Sequence, residues 1–269
     1  MRYLANYHSH TIRCQHARGT EEEYIQAALR NGFRSVGFTD HGCWPFKTGF
    51  VSGMRMRVDE LKDYTDTVKA LREKYAGQIR IHLGMEYESF PEFFPWLREI
   101  KAEYGFEYFI LGNHQEKNEE LGIRYFGDCT EPEHLEHYLR YTVEGMESGL
   151  FAYLAHPDLC LFRYPRFDDT AERVCRELCR AGKRAGMPME FNLLGHSRQA
   201  ECREAGTLGY CSPEFWQIAA EEGCEAVIGV DAHWPEMYDC VPKIEAARAY
   251  LEGLGIRVLD KLDFLDGEE

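Results

Sequence analysis

Three histidines fall within nine positions near the start of the chain, in the stretch LANYHSHTIRCQHARG at residues 4–19. His8 and His10 are one residue apart, so on an extended backbone both imidazoles face the same side. Asp231-Ala232-His233 repeats that spacing far downstream, and Asp40-His41, Glu86, His114 and His156 lie between. Imidazole and carboxylate are the groups that zinc, iron and manganese accept as ligands. A lone His-x-His pair is a weak signal, more often a wet loop with scattered histidines than a metal site. The question is whether the chain brings these groups to one place.

The elements that would do so alternate regularly. Apolar, β-rich runs occur at 2–7, 35–39, 79–83, 108–111, 150–155, 189–193 and 226–230, with segments of helical period between them. Thr20-Glu21-Glu22-Glu23 reads as a capping box, with Gly32 as the stop. Val58, Leu61, Tyr64, Val68, Leu71 and Tyr75 step by three or four up to Gly77. Leu135, Tyr138, Thr142 and Met146 do the same, as do Val174, Leu178 and Ala181. Ser212-Pro213 starts another helix, and a last one covers about 241–252, followed by a short run at 256–259. Seven strand–helix units with no linker predict one domain, residues 1–269: a βα barrel, or failing that a doubly wound sheet. Helical crossovers force parallel strands, so all strand C-termini gather on one face, where barrels carry their chemistry. Every run but the sixth ends in a histidine or carboxylate of ligand type: His8-Ser9-His10, Asp40-His41, Glu86, His114, His156-Pro157-Asp158 and Asp231-Ala232-His233. The sixth offers Glu190-Phe191-Asn192 and then His196-Ser197-Arg198.

That ordered set resembles the polymerase and histidinol phosphatase (PHP) superfamily of metal-dependent phosphoesterases, and within it the stand-alone histidinol-phosphatase branch. The resemblance runs over essentially the whole chain. It rests on His8-Ser9-His10, Cys14-Gln15-His16-Ala17-Arg18-Gly19, Phe38-Thr39-Asp40-His41, Arg55-Met56, Gly84-Met85-Glu86, Gly112-Asn113-His114, His156-Pro157-Asp158, Glu190-Phe191-Asn192 with Arg198, and Asp231-Ala232-His233. It implies a distorted (β/α)7 TIM-like barrel with the metal site at the C-terminal ends of the strands, holding two to three divalent ions (zinc, iron or manganese). One ion would take His8, His10, Glu86 and Asp231; a second His16, His41 and His233; a third His114 and His156, with Glu86 bridging. Glu86, Asp231 and His233 would be the residues on which catalysis turns. Clustered divalent ions acidify a bridging water into a hydroxide nucleophile and absorb charge on phosphoryl oxygens. No serine or cysteine nucleophile is then required, and Ser9 and Cys14 read as packing or supporting groups. The implied reaction is hydrolysis of L-histidinol phosphate to L-histidinol and phosphate, a step of histidine biosynthesis. The alternatives are a nucleotide phosphatase or 3′–5′ exonuclease on the same site, a PHP-type tyrosine-protein phosphatase, and a barrel without activity.

A phosphate dianion also needs fixed cations, and arginine's planar fork suits it. Arg163 and Arg198, after the fifth and sixth runs, are the first candidates, then Arg55; Arg18 is a fourth. Among the remaining histidines, His82 reads as strand packing, His134 and His137 as solvent-facing, and His196 as either pocket or surface. Asp40 and Asp158 read as supports for bound imidazoles. Trp44-Pro45-Phe46 reads as a pocket wall or lid, where substrate choice would be made. The net charge of −15 over 269 residues disfavours long nucleic acid but not a small anion. Ten cysteines form no C-x-x-C pair and read as reduced packing residues. No signal peptide or membrane span is evident, so the expectation is a cytoplasmic enzyme acting on a small phosphorylated substrate.

Overall fold

The computed structural model describes residues 2–267. In chain order the elements are β1 (Ala5–Asn6), α1 (Glu21–Arg30), β2 (Ser35–Phe38), α2 (Leu61–Lys74), β3 (Arg80–Tyr87), α3 (Phe94–Tyr104), β4 (Tyr108–Leu111), α4 (Pro132–Glu147), α5 (Asp169–Ala185), β5 (Met189–Asn192), α6 (Leu193–Glu204), α7 (Pro213–Glu221), β6 (Glu225–Gly229), α8 (Val241–Gly253), β7 (Arg257–Val258) and α9 (Asp263–Asp266). The expected capping box forms at α1: Thr20 Oγ1 accepts from the Glu23 amide while the Glu23 carboxylate accepts from the Thr20 amide.

Every strand pairing is parallel. One sheet runs β1-β2-β3-β4 and a second β5-β6-β7. The expected strand at 150–155 is reduced to single bridges, Leu154 to Leu111 on one side and to Met189 on the other. The segment still lies between β4 and β5: Leu111 donates to Tyr153 O, Ala155 to Leu111 O, Leu154 to Pro188 O and Glu190 to Leu154 O. Pro188 has no N–H to return a bond, which interrupts the ladder there. At the other seam Ser9 bridges Ala232, and the Asn6 side chain accepts from the Val230 amide while donating to His8 O. A side-chain amide thus supplements the backbone bonds of that seam, and β1 is two residues long rather than the expected six. The short run at 256–259 supplies β7 against β6.

Apolar faces of the helices pack on the outer side of the sheets; Val68, Leu97, Leu135, Val174, Phe215 and Leu251 are all buried. A smaller cluster of Tyr7, Tyr108, Ile110, Tyr153, Val227 and Leu262 fills the space between β1, β4, β6 and the chain's end. Trp44 belongs to the core, contrary to expectation. It packs on Tyr87, Phe90 and Phe93 and donates its indole N–H to Glu88, so it is not a wall of the cavity described below. All ten cysteines are free, and all but Cys202 are buried. No helix among the described residues is long and apolar enough to cross a membrane.

Candidate metal centre

The C-terminal ends of the strands bring the nine expected ligand residues together around Glu86. Glu86 Oε2 lies 3.1 Å from His41 Nδ1, 3.5 Å from His8 Nε2 and 3.7 Å from His10 Nε2. Glu86 Oε1 lies 2.9 Å from His156 Nε2 and 3.6 Å from His114 Nε2. Asp231 Oδ1 lies 3.0 Å from His10 Nε2, 3.5 Å from His8 Nε2 and 3.4 Å from His233 Nδ1. Ligand atoms within 4.8 Å of one another occur as the sets His8/His10/Asp231, His16/His41/His233, His8/Glu86/His156 and His10/His41/Glu86, and also His10/Cys14/His233. The early histidines therefore divide: His8 and His10 face Glu86 and Asp231, while His16 joins His41 and His233.

Two glycines make the space. A methyl group at Gly112 would lie 1.9 Å from Glu86 Oε1, and one at Gly229 would lie 1.8 Å from Glu190 Oε1. His156 and Asp231 have positive φ, 31° and 53°, a backbone state that costs energy in any residue but glycine and gathers at functional sites.

Supporting groups aim the imidazoles. Glu190 Oε1 holds His8 Nδ1 at 2.8 Å and its Oε2 accepts from the His156 amide, so His8 turns Nε2 to the centre. Asn192 bridges Glu190 and Asp231 through its amide nitrogen, and its oxygen caps α6 at the Gly195 amide. Glu88 Oε1 holds His114 Nδ1 at 3.2 Å. Asp40 lies 3.5 Å from His10 Nδ1 and accepts from the His41 amide and Thr11, the expected supporting position. Asp158 instead fastens the loop that follows α6, accepting from the Cys211 and Ser212 amides; burial pushes its carboxyl up to about 6.

Charge is divided across the cluster. Burial works against protonation of His8 and His10. Glu190, Asp231 and Glu86 nevertheless hold His8 well above its ordinary value, and Asp231 and Asp40 raise His10 to about 9. Burial and the neighbouring His10 hold His16 and His41 low and bring His233 down to about 4. These three imidazoles are neutral near pH 7, the form that binds metal. Glu86 Oε2, Asp231 Oδ1 and one ring nitrogen each of His10, His41 and His156 are buried without a hydrogen-bond partner. The unpartnered Glu86 Oε2 and Asp231 Oδ1 face ring nitrogens of His8, His10 and His41 at 3.0–3.7 Å, and carboxylate oxygens left unpaired among buried imidazoles are a donor set that fits divalent metal ions.

Beside the cluster opens a cavity of about 610 Å³, lined by His16, His41, His114, His156, Asp231 and His233, with Met54, Tyr125, Leu159, Leu194, Arg198, Tyr210 and Trp234 as walls. Of the four candidate arginines only Arg198 lines it, and among the described residues Arg198 forms no ion pair. Arg55 is corrected: it is 1% exposed and bound to Glu88 and Glu119, because the 42–57 loop folds its side chain under the site. Arg163 points to solvent and pairs with Asp128, and Arg18 lies over the Trp234 ring beside Glu236. His196 is exposed outside the cavity, against Phe191. His82 packs between Glu107 and Asp266, and His137 is half-buried on Glu116 rather than solvent-facing. The aiming roles of Glu88 and Glu190, and the tyrosine walls, went unassigned in the sequence. The period of two was the available signal for Glu88, since it places Glu88 on the side of the chain that Glu86 occupies.

The model of the PHP domain family matches residues 6–193, which takes in every expected ligand except Asp231 and His233. A Deinococcus radiodurans protein named "Probable histidinol-phosphatase" is 30% identical over 245 residues, covering 86% of this chain and 87% of that one. A Schizosaccharomyces pombe protein of the same name is 22% identical over 275 residues, covering 94% and 87%. The fold is shared with histidinol phosphate phosphatase from Lactococcus lactis, solved with zinc, L-histidinol and phosphate, at a TM-score of 0.69, 17% identity and 95% coverage of both chains.

Proposed function

The chain belongs to the PHP domain family, and from that premise we propose that it is a metal-dependent phosphomonoesterase that hydrolyses L-histidinol phosphate to L-histidinol and phosphate. The observation that carries the reading is the convergence of buried imidazole nitrogens on the unpartnered Glu86 Oε2 and Asp231 Oδ1, beside a cavity that also presents Arg198. The D. radiodurans relative, similar along most of both chains, supports the substrate.

His8, His10, Glu86 and Asp231 would hold one ion; His16, His41 and His233 a second; His114 and His156, with Glu86 shared, a third. Zinc is the ion named for the L. lactis protein. Bound divalent ions supply a Lewis-acidic surface for phosphoryl oxygens and make a water acidic enough to attack phosphorus at neutral pH. The chain's own residues do the rest. Arg198 offers a planar fork to the dianion from the cavity wall. Tyr125, Tyr210 and Trp234 give aromatic surface for a heteroaromatic leaving group and keep bulk water from the phosphorus. Glu190 and Glu88 keep the Nδ1 protons of His8 and His114 in place, so both rings present Nε2. The two sheets, joined through the 150–155 segment and the Ser9–Ala232 bridge, read as one distorted (β/α)7 barrel over a single domain.

The test is phosphate release by zinc-loaded protein from histidinol phosphate, set against nucleoside monophosphates and phosphotyrosine. His10→Ala and Asp231→Ala should each lose about 10³-fold or more, the scale of several kcal/mol of charge stabilisation. Parent-like turnover in either variant, with metal content measured, ends the metal-hydrolase reading. A parent that ignores histidinol phosphate and cleaves another monoester ends the substrate reading alone.

A further inference from the structure

Arg55 brings a positive charge into the interior next to the cluster, yet its side chain touches no expected metal ligand. Its Nη2 donates to Glu88 Oε1 at 2.8 Å and its Nη1 to Glu88 Oε2 at 3.1 Å, a two-pronged grip on one carboxylate. Nε donates to Glu119 Oε2 at 2.6 Å, and Nη1 also reaches the carbonyl of Gly42 at 2.8 Å. Arg55, Glu88 and Glu119 are all buried, so no solvent screens these contacts.

Three strand ends meet at this guanidinium. Gly42 follows His41 after β2, Glu88 follows Glu86 at the end of β3, and Glu119 lies in the excursion that follows His114 after β4. Glu88 Oε1 is also the partner of His114 Nδ1 at 3.2 Å. A carboxylate held by arginine can only accept, so Nδ1 carries the proton and Nε2 keeps its lone pair for the centre. That Nε2 faces Glu86 Oε1 at 3.6 Å. A lysine could not do this work. A single ammonium cannot span both oxygens of Glu88, the Glu119 carboxylate and a carbonyl at once.

We infer that Arg55 is a positioning residue. By gripping Glu88 it fixes the tautomer and aim of His114, and so sets how tightly the His114–His156 end of the cluster holds a divalent ion. This rests on the metal-site reading proposed above. It differs from a purely structural clamp in one respect: its effect on metal affinity must pass through His114.

The experiment uses the full chain, stripped with chelator and titrated with zinc, bound zinc being measured directly and a thermal melt run on each protein. The variants are Arg55→Lys, Glu88→Gln, His114→Ala and the double variant Glu88→Gln/His114→Ala. Arg55→Lys and Glu88→Gln should weaken the weakest-held zinc equivalent about 10- to 100-fold, the range found for groups that orient metal-bound histidines. The double variant should bind no worse than His114→Ala alone. If Arg55→Lys does not fold, Glu88→Gln decides, because Arg55 keeps Glu119. A Glu88→Gln isotherm that overlays the parent's, or an additive further loss in the double variant, overturns the inference. Coupled zinc binding without phosphate release from histidinol phosphate overturns the substrate reading and supports the inference. A parent that takes up no zinc overturns both.

Discussion

Arg198 projects from α6 into the cavity wall of a chain whose net charge is −15, and among the described residues no carboxylate pairs with it. A cation left unpaired at the rim of the cavity in so acidic a protein is available to an anion. Hydrogen bonds to charged groups contribute about 1.5–3 kcal/mol, so Arg198→Ala should lower kcat/KM for a phosphate monoester about 10- to 100-fold with bound metal unchanged. Arg198→Lys should recover only part of that, because the planar fork is lost. Steady-state kinetics beside metal analysis checks both; a full rate in Arg198→Ala makes the residue an ordinary surface arginine. Glu190 makes the contrast. It touches no expected substrate position, but His8, His156 and Asn192 all lean on it.

The element that shapes the site most tightly is the pair β3–β4, where Glu86 stands opposite Ile110 and Gly112 follows β4. Gly112→Ala would put a methyl group on Glu86 Oε1, and neither β3 nor β4 can retreat from a packed core. Overpacking of this kind costs about 1–3 kcal/mol, and the carboxylate that the ligand sets share must swing away. The expected outcome is a lower melting temperature together with loss of bound zinc; a variant that keeps its full zinc content would show that Glu86 sits elsewhere. That the expected ligand residues would gather on one face was legible in the sequence, because parallel strands with helical crossovers leave their C-termini no other face. The 150–155 strand was less so, since Pro188 interrupts its ladder from a neighbouring segment. Helix α6 was missed because among its residues only Leu193 and Gly195 are buried, which leaves no apolar stripe to read. Arg55 was misplaced for a different reason: whether an arginine faces a cavity or the core depends on the path of a loop, here 42–57, that carries no period.

At the scale of the whole molecule, the chain's end is tied to its beginning and its middle through Asp266. Its carboxylate accepts from Tyr7, His82 and Ser35. Burial opposes the charge, but His82 and Tyr7 prevail and bring Asp266 down to about 2, while Asp266 and Glu107 hold His82 above its ordinary value against the same burial. A depressed carboxyl stabilises the fold above its unfolded value and loses that contribution as pH falls toward 2. A raised histidine stabilises below about 6.5, and the contribution fades as pH rises through the raised value. Asp266→Asn should therefore cost about 1.5–3 kcal/mol where both groups are charged, between about pH 4 and 6.5. The gap to the parent should narrow at higher pH. Thermal melts of the two proteins at constant zinc across pH 5 to 9 measure it; a gap that does not vary with pH would mean that the ion pair contributes nothing. The seam at Ser9 and Ala232 has a further consequence. The Asn6 oxygen meets the Val230 amide across a sequence separation of 224, and the groups flanking that seam, His8 and His10 on one side and Asp231 and His233 on the other, belong to one cluster. A metal ion held as proposed would therefore lace one edge of that seam to the other, and stripping it with chelator should loosen the join at Ser9 and Ala232 before the sheet interiors.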